Sequence, residues 1–228
     1  MAKVAILVDG AFYQFRARLI KGAATPEERA KELNNYCYTH LSDKNGIVVD
    51  ELYRIFYYGC PPAGKKVQHP LTKRDIDLSQ TPQYAWANEF IKQMMKQRKV
   101  ALRLGRLSEE TAGYILLEGV VKKLCNGTIK FQDLREEDFE LNIKQKGVDM
   151  KIGVDIASLA YKKQVDKIIL IAGDSDFVPA SKLARREGLD FVLDPMWNNI
   201  NPDLYEHIDG LTSCWPKPTK QKAKHNNI

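Results

Sequence analysis

Short apolar runs alternate with amphipathic stretches along most of the chain. The apolar runs are rich in β-branched and aromatic residues, and they predict buried strands at residues 3–8, 51–58, 99–104, 167–172 and 189–193. The amphipathic stretches have helical spacing, and they predict helices at residues 12–20, 25–41, 82–98, 148–163, 175–187 and 202–211. This alternation predicts an α/β fold with a mostly parallel central sheet covered by helices on both faces.

Local signals define two of these helices. Thr25 is suited to cap the second predicted helix, and Pro26 follows it at the first helical position. The helix predicted at residues 148–163 carries an apolar stripe at helical spacing, formed by Val148, Ile152, Ile156 and Leu159. We expect that stripe to face the sheet.

Residues 105–146 interrupt the alternation. Two stretches there, at residues 114–121 and 128–131, flank Asn126-Gly127, and an Asn-Gly pair in this setting is a strong signal for a β-hairpin. We therefore predict one domain over residues 1–214 with an inserted β-hairpin at about 105–146. Residues 215–228 contain prolines and lysines but no acidic residue, which predicts a basic, disordered tail.

The composition of the 228 residues narrows the class of protein. With 44% apolar and 28% charged residues, the chain is neither collagen-like nor mostly disordered. Its apolar runs are far shorter than the roughly 20 residues of a membrane helix, so we expect no membrane partner. The four scattered cysteines and the absence of a signal peptide predict a cytoplasmic protein. The formal charge of +6 permits a polyanionic partner.

Aspartates stand where two central strands are predicted to end. Asp9 follows the first strand, and Asp174 and Asp176 follow the strand at residues 167–172. Asp149 opens the helix at residues 148–163, and the ~100° step of a helix places it on the buried side. Ligand sites of parallel sheets form outside the carboxyl ends of the strands, so these four side chains can converge there.

Clustered aspartates without histidine or cysteine suit a hard divalent cation. Neighbouring carboxylates raise one another's pKa, and Mg²⁺ binds one or two carboxylates together with waters and phosphate oxygens. Two such ions about 3.5–4 Å apart can activate water for in-line attack on a phosphodiester. Taken singly, each of the four aspartates also fits an ordinary role in a turn, a helix N-cap or a first helical turn. The motifs of nucleotide-binding loops and of serine hydrolases are absent.

Three segments occur in the order and with the spacing of a known family. They are Val8-Asp9-Gly10, Lys146-Gly147-Val148-Asp149 and Ile171-Ala172-Gly173-Asp174-Ser175-Asp176-Phe177-Val178-Pro179. Together they resemble the NYN domain, in its LabA-like branch within the PIN-like nuclease superfamily. The resemblance spans residues 3–193 and leaves the insertion at residues 105–146 uncovered.

The resemblance implies a Rossmann-like α/β/α sandwich in three layers and a metal-dependent endoribonuclease that uses Mg²⁺ or Mn²⁺. The residues that match the acids of the family are Asp9, Asp149, Asp174 and Asp176. Asp155 also fits the helix pattern, in a supporting role. The chain departs from many relatives at Phe12, where they carry asparagine, and this departure bears on the substrate or metal surroundings.

Basic residues near these acids predict the phosphate contacts of an RNA substrate. They are Arg103, Arg106, Lys146 and Lys151, with Ser175 as a further polar contact. Two rival functions stay open: a non-catalytic RNA-binding or regulatory module with the same fold, and a DNA or flap nuclease. A homo-oligomer or a protein partner is also open, because the insertion can present a strand edge.

Overall fold

The computed structural model describes residues 1–108, 112–143 and 145–218. The strands within these residues are β1 (Lys3–Asp9), β2 (Glu51–Gly59), β3 (Lys66–Gln68), β4 (Asp75–Asp77), β5 (Val100–Leu104), β6 (Arg106–Leu107), β7 (Gly113–Leu116), β8 (Phe139–Asn142), β9 (Gln145–Lys146), β10 (Lys167–Ile171), β11 (Asp190–Asp194) and β12 (Gly210–Leu211). The helices are α1 (Gly10–Lys21), α2 (Pro26–Thr39), α3 (Pro82–Met95), α4 (Glu118–Cys125), α5 (Val148–Tyr161), α6 (Val178–Arg186) and α7 (Pro202–Tyr205).

A sheet of six strands lies at the centre of the described residues, in the order β12-β11-β10-β1-β2-β5. Every neighbouring pair in it is parallel. The carboxyl ends of β1 and β10 are adjacent, because Val8 pairs with Ile171. The predicted α/β sandwich with a parallel central sheet is therefore confirmed.

The central strand β1 is buried on both faces of the sheet. Ala5 and Leu7 pack into the core on the side of α5 and α6. Val4, Ile6 and Val8 pack into the core on the side of α1, α2 and α3. Burial of a side chain such as Ile6 or Leu7 contributes roughly 1.5–3 kcal/mol, so this continuous apolar strand anchors both helical layers.

The two helices with local signals form as predicted. At α2, the Thr25 hydroxyl accepts a hydrogen bond from the Glu28 amide, and the Glu28 carboxylate accepts one from the Thr25 amide. At α5, the stripe of Val148, Ile152, Ile156 and Leu159 is buried against the sheet. This packing fixes the position of the amino end of α5 relative to β1 and β10.

The insertion at residues 105–146 does not contain the predicted Asn126-Gly127 hairpin. Asn126 instead ends α4, and Gly127, with a φ of 74°, continues into the following turn. Among the described residues of the insertion, β7 pairs with β8 on either side of α4, and β6 pairs with β9; both pairs are antiparallel. The i,i+4 ion pair of Glu118 and Lys122 supports α4. The hairpin prediction failed because an Asn-Gly pair also suits the end of a helix.

Two further segments differ from their predicted structure. The prolines, the glycine and the charged residues of the segment 60–79 predict a loop, but β3 and β4 form an antiparallel pair within it. The helix predicted at residues 202–211 ends at Tyr205, and Gly210 and Leu211 instead extend the sheet as β12. Asp209 causes this change, because its amide donates to the Phe191 carbonyl and its carboxylate accepts from the Phe191 amide at 2.9 Å.

The chain beyond β12 folds back onto α1 and α2. The Trp215 ring packs against the rings of Tyr13 and Tyr36, with centroid distances of 6.0 and 4.4 Å. Most of the predicted tail, residues 219–228, lies outside the described residues. Among the residues described, no helix has the length and apolar character needed to cross a membrane.

Candidate active site

Asp9 lies at the carboxyl end of β1 and caps α1. Its Oδ1 atom accepts hydrogen bonds from the amides of Ala11, at 3.0 Å, and Phe12, at 3.2 Å. Gly10 makes this turn possible, since a Cβ atom there would lie 2.4 Å from the Tyr58 carbonyl oxygen. The strand thus passes directly into the helix, and the Asp9 carboxylate stays at the edge of the sheet.

Asp174 and Asp176 follow the neighbouring strand β10. The Asp174 Oδ1 atom accepts a hydrogen bond of 3.0 Å from the Asp176 amide and caps a short 3-10 turn, Ser175–Phe177. Phe177 is buried in the core and anchors this turn, whereas both aspartates are exposed. Ser175 is half-buried between them. The turn therefore presents two carboxylates on a fixed base.

Asp149 extends from the first turn of α5. Gly147 precedes the helix with a φ of 79°, a backbone conformation that favours glycine. The helical wheel placed Asp149 on the buried side, and this expectation was wrong: the residue is exposed. A side chain in the first turn can project past the end of a helix, where the layer of core residues stops.

The four aspartates share one electrostatic environment. The pKa of Asp9 is raised, first by burial and then by repulsion from Asp149 and Asp174, although the Phe12 amide opposes the shift. The pKa of Asp149 is raised by partial desolvation and by repulsion from Asp174 and Asp176. Repelling carboxylates of this kind favour a bound cation.

A second group of possible ligands lies on and after α7. The ligand atoms of Asp203, Glu206 and His207 lie within 4.8 Å of one another, and no three of the four aspartates, all of them among the described residues, come this close together. The sequence reasoning missed this group, although its spacing places all three on one helical turn. Asp203 and Glu206 are exposed at the surface.

Asp155 and Arg103 bind each other instead of facing the four aspartates. The Asp155 Oδ2 atom accepts hydrogen bonds of 2.8 Å from the Tyr58 hydroxyl and from Arg103 Nε. The guanidinium also lies over the Phe56 ring, 5.1 Å from its centroid. These contacts join α5 to β2 and β5, which gives Asp155 a structural connection near the site.

Arg106 and Lys146 lie opposite each other in the antiparallel pair of β6 and β9. Both line a pocket of about 520 Å³ beside the start of α5, together with Pro61, Pro62, Gly105, Leu107 and Ser108. Lys151 is exposed one helical turn after Gly147, whose carbonyl accepts from its amide. The structure therefore brings three of the predicted cations to the region of Asp149.

A further acid at a strand end, Asp194, was missed by the sequence reasoning. It ends β11 and is fully buried, and its carboxylate accepts hydrogen bonds from Tyr36, Ser213 and the Met196 amide. His40 Nε2 lies 2.8 Å from it. With its oxygens satisfied in the core, Asp194 connects β11 to α2 and has no exposed surface for a substrate.

Comparisons with known proteins identify a family and two similar proteins. The NYN domain model matches residues 3–202. Over 82 residues the chain is 32% identical to the uncharacterized protein y4oD of Sinorhizobium fredii. The aligned segment covers 35% of this chain and 38% of y4oD. The chain therefore spans well under two thirds of the length of that curated relative. A crystal structure of a protein of unknown function, VPA0982 of Vibrio parahaemolyticus, has a TM-score of 0.47 and 13% identity, covering 93% of this chain and 92% of that one.

The family match includes all four aspartates at the carboxyl edge of the sheet and the cations beside α5. PIN-like and NYN nucleases generally cleave nucleic acids, and they usually use divalent metals. The chain belongs to the NYN domain family.

Proposed function

We propose that this protein is a metal-dependent endoribonuclease that hydrolyses RNA phosphodiester bonds. The observation that carries this proposal is the placement of Asp9, Asp149, Asp174 and Asp176 around the adjacent carboxyl ends of β1 and β10. Mutual repulsion among these carboxylates is relieved by a hard cation, and they offer the oxygen ligands that Mg²⁺ or Mn²⁺ prefers.

The four aspartates are the residues that would hold such an ion. Asp9 and Asp174 each use Oδ1 for backbone hydrogen bonds, which orients the carboxylate and leaves Oδ2 for a ligand among the described contacts. When bound, the ion supplies charge neutralisation at the scissile phosphate and a lowered pKa of the attacking water. No side chain of the site needs to become covalently modified.

Cations of the chain would hold the RNA backbone. Arg106, Lys146 and Lys151 form no ion pair among the described residues, so their charge is available to phosphates. Ser175, between Asp174 and Asp176, is a further polar contact. Arg103 forms an ion pair with Asp155, and we assign it a supporting role at the site.

The free cysteines agree with a reducing cytoplasm.

The test of this function is cleavage of labelled RNA by purified protein in Mg²⁺, in Mn²⁺ and in EDTA. Asp174→Asn should abolish cleavage with the fold intact, because asparagine also caps a helix or turn well. Asp203→Asn is the matched control, since Asp203 is an exposed acid of the second group, and it should cleave at the parental rate. Parental cleavage by Asp174→Asn would refute the assignment.

One contact favours a non-catalytic RNA-binding module as the second candidate. The Phe12 ring lies where relatives often carry asparagine, and a Cβ atom on Gly173 would be 2.5 Å from Phe12 Cε2. This ring places an apolar surface against Gly173, the residue before Asp174. RNA that binds equally well in EDTA and is never cut would support this candidate, whereas cleavage of DNA alone would indicate a DNA or flap nuclease.

A further inference from the structure

The pocket of about 520 Å³ lies beside the start of α5, the helix that carries Asp149. A Cβ atom on Gly105, which lines the pocket, would lie 3.0 Å from Val148 Cγ2. Lys146 also lines the pocket and stands three residues before Asp149, which limits the distance between their Cα atoms to about 11 Å. Pro61 and Pro62 form another wall, and they follow β2, whose Tyr58 is in register with Asp9. The remaining lining residues belong to the insertion that begins after β5. A substrate bound at the aspartates would therefore reach this pocket.

The two cations of the pocket are held close together. Arg106 and Lys146 are directly paired in the ladder of β6 and β9, and such pairs place their Cβ atoms roughly 4.5–5.5 Å apart on the same face. Both side chains are exposed, and within the described residues neither has an acidic partner. Like charges in this position repel, so the arrangement suits an anion that accepts from both, such as a phosphate.

At the pocket, the backbone at Gly105 packs closely against the segments that contain Cys60 and Lys146. A Cβ atom on Gly105 would lie 2.8 Å from the Lys146 carbonyl oxygen and 3.1 Å from Cys60 Sγ. The Gly105 amide also donates to the Gly59 carbonyl at 2.8 Å, which continues the sheet into the insertion. The relative position of the proline wall and the cations is therefore set by the central sheet.

Three apolar residues line part of the same pocket. Pro61, Pro62 and Leu107 face the same space as the two cations, and the volume falls within the roughly 300–1,000 Å³ of small-ligand sites. A nucleotide combines a flat, largely apolar base with an anionic phosphate. We propose that this pocket holds one unpaired nucleotide of an RNA substrate beside the cleaved phosphodiester, with the base against the prolines and Leu107 and the phosphate on Arg106 and Lys146.

This inference rests on the proposed function and makes it narrower. A base can enter the pocket only when it is unpaired, so single-stranded or bulged RNA is the substrate class. The walls contact the base through their shape and apolar surface, and the two cations contact only the phosphate of the nucleotide. We therefore expect a requirement for a base at one position next to the cleavage site.

The first experiment measures binding without cleavage. Nucleoside 5′-monophosphates are titrated into the protein in EDTA, and ribose 5-phosphate is the probe that lacks a base. Ribose 5-phosphate should bind about tenfold more weakly, the loss expected when roughly one face of a base is no longer buried. Leu107→Trp fills the pocket and should reduce mononucleotide affinity at least as much, whereas Leu71→Trp, at an exposed leucine elsewhere, should match the parent.

The second experiment removes single bases from a cleavable RNA. Oligonucleotides with one abasic ribose at each position in turn are compared by kcat/KM. One position next to the cleaved bond should lower the value about tenfold, and in Leu107→Trp the ratio between the intact and the abasic substrate should fall to about 1. Leu71→Trp should retain the parental ratio.

Two results would overturn the pocket assignment. One is equal affinity for ribose 5-phosphate and the mononucleotides, and the other is a base requirement that Leu107→Trp leaves unchanged. Either can occur while metal-dependent cleavage persists, in which case the proposed function stands without the pocket. If RNA is not cut in any metal but mononucleotides bind in the expected order, the pocket stands and the nuclease assignment fails.

Discussion

Asp9 combines a structural hydrogen-bonding role with a charge that the fold tolerates poorly. Its Oδ1 atom caps α1, while burial and the nearby Asp149 and Asp174 carboxylates raise its pKa above the ordinary 3.8. The raised pKa means that the folded protein binds this proton more tightly than the unfolded chain. Its contribution to the free energy of unfolding is therefore fully present below pH 3.8 and is lost as the pH rises through the raised pKa.

Replacing this charge should stabilise the metal-free protein. Asp9→Asn keeps the cap and removes the repulsion, so in EDTA at pH 7 we expect a higher Tm; about 1 kcal/mol corresponds to roughly 2–4 °C for a chain of this size. RNA cleavage should be lost in the same variant. Asp9→Ala is the matched control, because it also removes the cap at a cost of about 1 kcal/mol. Equal destabilisation by both substitutions would contradict this account.

The repulsion between Asp9 and Asp149 should be visible in a titration. In the metal-free protein, the Asp9 carboxyl carbon followed by NMR should titrate above pH 3.8. Asp149→Asn removes one repelling charge and should lower the pKa of Asp9, because Asp149 is among the causes of its shift. Asp203→Asn should leave the Asp9 titration unchanged. An Asp9 pKa insensitive to Asp149 would show that the two carboxylates do not share a site.

The positions of the candidate site residues relative to the strands and helices were predictable from the sequence, whereas most of their contacts were not. Each of the four aspartates stands next to a predicted strand or helix end, and the structure places them there. The partnership of Arg103 with Asp155 was not predictable, because it joins β5 to α5 across 52 residues of sequence. The exposure of Asp149 was also missed, since a helical wheel does not represent the end of a helix.

At the scale of elements, α5 is held in place by more than its apolar stripe. Asp155 accepts hydrogen bonds from Tyr58 on β2 and Arg103 on β5. Tyr58 is in register with Asp9, and Asp155 lies on the same helix as Asp149. We call Asp155, Tyr58 and Arg103 the clamp. It joins α5, β2 and β5, and so connects the helix that carries Asp149 to the strand that lies beside Asp9.

Breaking this clamp should affect both stability and metal binding. Asp155→Ala leaves two partly buried donors without their acceptor, and we expect a loss of about 1–3 kcal/mol. Because Asp149 is positioned by the same helix, Mn²⁺ affinity should also fall. Tyr58→Phe removes one donor and keeps the ring, so its effect on thermal unfolding should be smaller. A destabilised Asp155→Ala protein with parental Mn²⁺ affinity would limit the clamp to a structural role.

The elements themselves were predictable where the pattern was long and regular. The stripe on α5 and the capping box of α2 both appear in the structure as expected. The insertion was not, because Asn126-Gly127 is a local signal that serves a helix end as well as a hairpin. The short strand β12 was missed because Asp209 and its partner Phe191 are distant in sequence.

At the scale of the whole molecule, acids and cations are arranged around one edge of the sheet. The strands β1 and β10 carry the aspartates, while β6 and β9, just beyond β5, carry Arg106 and Lys146. The proposed metal ligands and the proposed phosphate ligands therefore lie on different strands at neighbouring positions. The net charge of +6 then favours association with a polyanion.

Phosphate contacts should appear in the salt dependence of RNA binding. The slope of log K against log salt is negative for a protein that contacts phosphates. For single-stranded RNA in EDTA, the double variant Arg106→Gln/Lys146→Gln should reduce the magnitude of this slope by about 1.4, or about 0.7 per lost contact. Lys44→Gln/Lys123→Gln removes the same charge at exposed positions without ion pairs in the described part of the chain and should change the slope little. Equal slopes for the two double variants would exclude a specific phosphate contact.

Anomalous diffraction from crystals grown with Mn²⁺ would locate the metal that the aspartates are proposed to hold. We predict a peak bounded by Asp9, Asp149 and Asp174 that disappears in crystals of Asp174→Asn. A peak confined to Asp203, Glu206 and His207, or no peak in protein that cleaves RNA under the same conditions, would contradict this prediction.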